Sequence, residues 1–358
     1  MARLIDPRIA TALARRVAGD LPHQDLPLID RLRRDLEVAV PRSEELVAPI
    51  TGTPTPPSVR WDVIDRGAWA EANIYGIGTM IGPLQDKLAE RMKAVPFPVR
   101  LAQRTIVSAE VGLLLGYVSR RVLGQYDLLI PEEEARWARR NRIAPGTALY
   151  FVGPNMVETQ RRSDFVPDEF ALWVALHEVT HRFQFAGVPW LKDRFLGLVR
   201  SYMESVDLDV RSLSARLKSA ARRIAQRSLP RDERNPVYLL ASEDQKRVLD
   251  EIQALMAIVE GHGNFVMDHV GEKVIPSFKR MRQVFERRRE QASYLQRIFN
   301  NVIGLDMKLR QYEMGQAFCN EIVAAEGLGA LTRLWDDPEG LPTLAELRQP
   351  RTWLKRVA

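Results

Sequence analysis

The segment from residue 172 to residue 185, LWVALHEVTHRFQF, constrains the fold of this chain more than any other. Its apolar residues recur at spacings of four, three and four, which place them on one face of a helix: Leu172, Leu176, Val179 and Phe183. His177 and His181 are four residues apart and share a different face of that helix. A proline suited to a first turn and a glycine suited to a helix end bound the segment, so we predict a helix over Pro167–Phe185.

The polar face of this predicted helix carries residues that suit metal chemistry. Two imidazoles one helical turn apart can bind the same tetrahedral ion, and Glu178 between them can take a proton from metal-activated water. Since the chain has five histidines, a chance H-E-x-x-H match is improbable. The sequence therefore predicts that His177 and His181 bind Zn²⁺ and that Glu178 is the general base. In the alternative interpretation, the two histidines form a polar stripe in a helical core.

A site of this kind needs a third protein ligand, and the segment EGHGN offers two candidates. Glu260 follows an apolar helical run, and Gly261 and Gly263 beside it would allow a neighbouring helix to approach closely. His262 is the rival ligand. We favour Glu260, because a glutamate on a second helix completes many zinc sites of this type. His269 is better explained as a surface or interface histidine.

Helical periodicity dominates the chain from Trp69 onward, and the clearest strand signal is the apolar, aromatic run Ala148–Val152. We therefore predict a mainly α fold with a small β-sheet next to the HExxH helix. Residues 1–40 read as an N-terminal helical segment. Residues 41–58 are rich in Pro and Thr, which predicts a linker or strap, and residues 59–358 form the main domain.

Composition narrows the cellular setting and the partners. The 52 basic and 46 acidic side chains leave a net charge of +6, which is a mixed surface, so we do not expect nucleic acid as a partner. The lone Cys319 cannot form an internal disulfide, which fits a reducing compartment. The chain has no apolar run long enough to span a bilayer and no signal-peptide pattern. These features predict a cytoplasmic protein without a membrane segment.

Two further features are open to a functional interpretation. Tyr312 could donate a hydrogen bond to a tetrahedral oxyanion, and Arg310 could instead hold a substrate carboxylate. A structural role is equally compatible with either residue. The basic run Lys279–Arg289 could bind an anion, although such a helix is usually a solvated face.

Several blocks along the chain resemble a bacterial family of zincin-like hydrolases, in which one branch is labelled as associated with biosynthesis of the deazaflavin cofactor. The blocks are VIDRGAWAEANI, SRRVLGQYDLLIP, LYFVGPNMVE, LWVALHEVTHRFQF, VEGHGNFVMD, GLDMKLRQYEMGQAFC and PEGLPTLAELRQPRTWL. They extend from about Trp61 to Arg356. The resemblance implies a zincin-like domain with His177, His181 and Glu260 as metal ligands and Glu178 as the central glutamate of the motif.

Taken together, these patterns predict a zinc-dependent hydrolase, a metallopeptidase or an amidase, acting on a peptide or a small amide. The alternative is a non-catalytic helical scaffold or partner-binding protein, with a structural zinc or an inactive site. Glu178 favours the enzyme, because a purely structural site does not need an acid at that position.

Overall fold

The computed structural model describes residues 4–82, 84–85, 87–88, 93, 95–129, 135–144, 146–206, 241–290 and 305–358. As the sequence predicts, the protein is mainly helical with one small sheet. It divides into two compact units, Met1–Gly187 with His269–Met281, and Val188–Asp268 with Arg282–Ala358. Within the described residues, every helix is too short or too polar to cross a bilayer.

The first unit contains the sheet and the helix that carries the HEVTH motif. Its helices are α1 (Pro7–Ala18), α2 (Leu26–Thr51), α3 (Arg66–Met80), α4 (Phe97–Ser119), α5 (Ala135–Arg140), α6 (Gly153–Ser163) and α7 (Pro167–Gly187). Its strands are β1 (Arg60–Ile64), β2 (Gly124–Tyr126) and β3 (Thr147–Val152). The predicted motif helix and the predicted strand are therefore both confirmed.

Strand β3 lies in the middle of the sheet, parallel to β1 and antiparallel to β2. Its last four residues, from Leu149 to Val152, are buried. A central strand covered on both faces needs an almost continuous apolar run, which is why the sequence signals this strand clearly. The short strand β2 contacts α7, so the sheet lies next to the HExxH helix.

Helix α2 packs along α7 and corrects one prediction. We predicted irregular structure over the Pro-rich residues 41–58, but the helix continues through Pro41 and Pro49 to Thr51. Both prolines are exposed, so the backbone carbonyls that lose a helical partner can bond to water. The opposite side of α2 buries apolar residues four apart, such as Leu32 and Leu36, and this burial outweighs the cost of the prolines.

All the regular elements among the described residues of the second unit are helices. It contains α8 (Leu191–Ser205), α11 (Leu305–Glu326), α12 (Arg333–Asp336), α13 (Leu344–Arg348) and α14 (Pro350–Arg356). The division between the units falls within α9 (Glu243–Val274) and α10 (Phe278–Glu290). Trp353 is fully buried and donates a hydrogen bond from Nε1 to the Gly340 carbonyl at 2.8 Å, which fixes the C-terminal helices.

Close helix contact in this unit confirms the role predicted for Gly261. A Cβ on Gly261 would lie 2.2 Å from the backbone carbon of Gly315, so α9 and α11 touch through their backbones. Cys319 of α11 is fully buried, and burial raises the pKa of its thiol. A buried thiol with a raised pKa is an inert core residue.

Candidate metal centre

The two motif histidines face one another on α7. Their rings meet edge to face with centroids 4.5 Å apart, and the two Nε2 atoms are 3.1 Å apart. His177 is partly buried, whereas His181 is only 9% exposed. The spacing of four residues therefore brings together the same nitrogen of both rings.

This geometry fits a metal ion. Two nitrogen ligands at the usual zinc distance lie roughly 3.3 Å apart on a tetrahedral ion. The observed separation of 3.1 Å between the Nε2 atoms is close to that value. Without an ion, the two nitrogens can satisfy each other only if one of them carries a hydrogen and the other does not.

Glu178 lies between the histidines in sequence and is 7% exposed. Its side chain lies against the start of β2: a Cβ on Gly124 would be 2.7 Å from its Cγ and 2.8 Å from its Oε1. Strand β2 can approach the carboxylate this closely only because residue 124 has no side chain. The sequence does not signal this contact, since β2 is three residues long and has no apolar pattern.

The other ring nitrogen of His181 has a protein partner. Its Nδ1 atom lies 2.9 Å from Oε1 of Gln184, one turn further along α7. Gln184 is fully buried. Sequence reasoning missed this residue, although its spacing of three residues from His181 was a signal that could have identified it.

An ion pair and a backbone contact hold the motif helix in place. Arg182 is 1% exposed, and its guanidinium pairs with Glu44 of α2. The same group donates a hydrogen bond to the Pro56 carbonyl at 3.1 Å. The chain that follows α2 thus passes over Arg182, and α2 and α7 are tied together beside the histidines.

The remaining candidates of the metal site lie on α9. Glu260 belongs to the second unit and is partly buried. His262 is fully buried in the same unit, with its ring edge-on to Trp335 at a centroid distance of 5.1 Å. His269 belongs to the first unit, and its Nε2 lies 3.0 Å from Nζ of Lys273. Partial burial and the Lys273 charge lower the pKa of His269.

The two other predicted features are only partly described. Tyr312 and Arg310 lie in helix α11, but their side chains are outside the described part of the chain. In the basic run, Arg280 pairs with Asp164 and Arg282 pairs with Asp268. These pairs favour the interpretation of that run as an ordinary solvated helix face.

Comparison with known proteins identifies the family of this chain. A family described as zincin-like metallopeptidase matches residues 5–354. The chain belongs to the zincin-like metallopeptidase family. The family covers nearly the whole chain and implies the use of a metal. A search of curated proteins gives no match.

A solved structure from Chloroflexus aurantiacus, described as that of a candidate hydrolase with a novel fold, is also similar to this zincin-like chain. It is 29% identical in sequence, with a TM-score of 0.67 over 98% of each chain. The predicted resemblance to zincin-like hydrolases is therefore confirmed. The association with the deazaflavin cofactor and the cytoplasmic location stay predictions.

Proposed function

We propose that this chain is a zinc-dependent hydrolase that cleaves amide bonds in peptides or small amides. The observation that carries the proposal is the pair of Nε2 atoms 3.1 Å apart on one helix, with the carboxylate of Glu178 between the two histidines in sequence. Membership of the zincin-like metallopeptidase family supports the same conclusion independently of the geometry.

The proposed ligand set is His177, His181 and Glu260. The family resemblance supplies the third ligand, because the glutamate of the segment EGHGN matches Glu260. Two nitrogens and one carboxylate oxygen are the donors of an open catalytic zinc site, whereas structural sites are usually closed by four protein ligands. This donor chemistry supports Glu260 over His262.

When bound, a zinc ion lowers the pKa of a water molecule and polarises a carbonyl group. In the proposed reaction, Glu178 accepts the proton that the attacking water loses as its oxygen bonds to the carbonyl carbon. The same carboxyl group then delivers that proton to the amide nitrogen as the carbon–nitrogen bond breaks. We further propose that Tyr312 donates a hydrogen bond to the tetrahedral oxyanion.

The first test is the metal content of the purified full chain, measured by elemental analysis. We expect about one zinc per chain in the wild type and in Glu178→Gln, and little in His177→Ala and Glu260→Gln. His23→Ala is the matched control, because His23 is exposed in a short 3₁₀ helix and should leave the zinc content unchanged. A wild-type chain that binds no zinc even after zinc is added would show the proposal to be wrong.

The second test is hydrolysis of a mixed library of peptides and small amides, followed by mass spectrometry. Zinc-loaded wild type should release cleavage products that Glu178→Gln and chelator-treated wild type do not release. If the zinc-loaded chain cleaves nothing while zinc binding is intact, the non-catalytic scaffold with a structural zinc becomes the better interpretation. If Glu178→Gln cleaves as fast as the wild type, the role of Glu178 is refuted.

A further inference from the structure

Gln184 is a buried polar residue whose side chain contacts the ring of His181. Its Oε1 lies 2.9 Å from Nδ1 of His181, on the side of the ring away from the Nε2 atom that faces His177. Both residues are on α7, and the Gln184 side chain is fully buried. A buried amide is held in one orientation more firmly than an exposed one, so this contact constrains the ring.

The chemistry of the imidazole ring decides which partner of this contact is the hydrogen-bond donor and which is the acceptor. A neutral imidazole carries hydrogen on only one nitrogen, and the nitrogen that binds a metal must be the other one. If Nε2 of His181 is the metal-binding atom, Nδ1 must carry the hydrogen and needs an acceptor. The amide oxygen of Gln184 is such an acceptor, whereas an amide NH₂ in the same place would favour the wrong tautomer.

We propose that Gln184 is a positioning residue of the metal centre, where it accepts the Nδ1 hydrogen of His181 and so keeps the Nε2 lone pair available to the metal. The inference rests on the proposed zinc site but adds a residue that the HExxH motif does not contain. Gln184 provides an acceptor without a charge, so it orients the ring and leaves the net charge of the site unchanged.

The metal-dependent test compares zinc affinities, measured by competition with a chromophoric chelator. Gln184→Met keeps the length of the side chain but removes the strong acceptor, so zinc binding should weaken roughly 10- to 100-fold. Gln184→Glu restores an acceptor and should bind zinc at least as tightly as the wild type. Thr180→Val is the control, since Thr180 is also buried on α7 and donates a hydrogen bond within its own helix, to the Leu176 carbonyl at 2.7 Å.

The metal-free test observes the tautomer directly by NMR of chain labelled with ¹⁵N in its histidines, at a pH where the imidazoles are neutral. Wild type should show hydrogen on Nδ1 of His181, and Gln184→Met should show a mixture of tautomers. This NMR measurement does not need zinc, so it remains informative if the chain does not bind zinc. It also needs only the wild type if Gln184→Met does not fold.

Two results would overturn the assignment. One is a wild-type His181 that carries its hydrogen on Nε2. The other is a folded Gln184→Met chain with unchanged zinc affinity and an unchanged tautomer. By contrast, an Nδ1 hydrogen in a wild-type chain that binds no zinc would support the contact and refute the metal centre, so the two failures are distinguishable.

Discussion

Gly124 and Glu178 are in such close contact that a single methyl group would disturb it. A Cβ on Gly124 would lie 2.7 Å from Cγ and 2.8 Å from Cδ of Glu178. Carbon atoms in contact prefer separations of about 3.5–4.0 Å. Strand β2 therefore limits where the carboxylate of the HEVTH motif can go, and residue 124 must be small for the carboxylate to keep its place.

Gly124→Ala should keep its zinc but lose activity, because the added methyl group displaces the Glu178 carboxylate. A misplacement of about 1 Å can cost roughly 10²-fold in rate, so we expect kcat to fall by about that factor. The measurement is kcat on the amide substrate identified in the library, with zinc content measured on the same sample.

The matched control is Gly197→Ala, on the exposed side of α8, where the added Cβ would meet none of the described residues within 4 Å. It should leave kcat unchanged and raise the free energy of unfolding by up to about 1 kcal/mol, since Ala favours helix over Gly. Full activity in Gly124→Ala would contradict the role assigned to this contact.

Gly261→Ala should destabilise the second unit. Its Cβ would lie 2.2 Å from the backbone carbon of Gly315 and 2.4 Å from the Gln316 nitrogen, and backbone atoms cannot rotate away as a side chain can. Forcing α9 and α11 apart should cost about 3 kcal/mol or more in the free energy of unfolding. Urea denaturation of the full chain measures this cost.

Gly329→Ala serves as the comparison, because in the part of the chain that the structure describes a Cβ at Gly329 would meet nothing within 4 Å. It should change the free energy of unfolding by less than about 0.5 kcal/mol. Equal stability of the two variants would show that α9 and α11 are not packed backbone to backbone.

Glu71→Gln should destabilise the first unit, because Glu71 is fully buried and binds two cations. Its carboxylate accepts hydrogen bonds from Arg15 at 2.9 Å and from Arg140 at 2.6 Å. Removing one partner of a buried pair costs about 3–5 kcal/mol, and the partial exposure of both arginines places this case toward the lower end. Thermal or urea unfolding provides the measurement.

The control for this substitution is Glu326→Gln, which breaks the half-exposed pair of Glu326 with Arg333. Such a pair contributes about 0–1 kcal/mol, so the loss should be small. If Glu71→Gln proved as mild as Glu326→Gln, the buried network would not be a major source of stability.

Glu346 should make the free energy of unfolding depend on pH in the acid range. Although burial acts in the opposite direction, hydrogen bonds from Arg356 and from Thr343 lower the pKa of Glu346 in the folded state. A lowered carboxyl pKa stabilises the folded state above the ordinary value of 4.5, and this contribution is lost as the pH falls below it. Glu346→Gln should therefore flatten the acid side of the stability–pH curve.

The curve is measured by urea denaturation at a series of pH values between about 2 and 7. Glu313→Gln is the control, because Glu313 is exposed on α11. If the free energy of unfolding falls equally steeply at low pH in wild type and in Glu346→Gln, the hydrogen bonds to Glu346 do not favour its charged form.

The sequence by itself determined the features that depend on local spacing. The period of the apolar residues and the bounding proline and glycine defined helix α7, and the spacing of four residues placed His177 and His181 on one face. The continuous apolar run signalled β3, because a central strand is buried on both faces. These features can be predicted from the sequence because each depends on residues that are only a few positions apart.

Only the tertiary structure decided the features that join distant residues. Pro41 and Pro49 are tolerated because burial of the opposite side of α2 against α7 outweighs the local preference for irregular structure. The sequence of β2 has no strand pattern of its own, because this strand forms through its pairing with β3. The contact of Gly124 with Glu178 joins residues 54 positions apart, so no local pattern could reveal it, and only the packing of β2 on α7 brings them together.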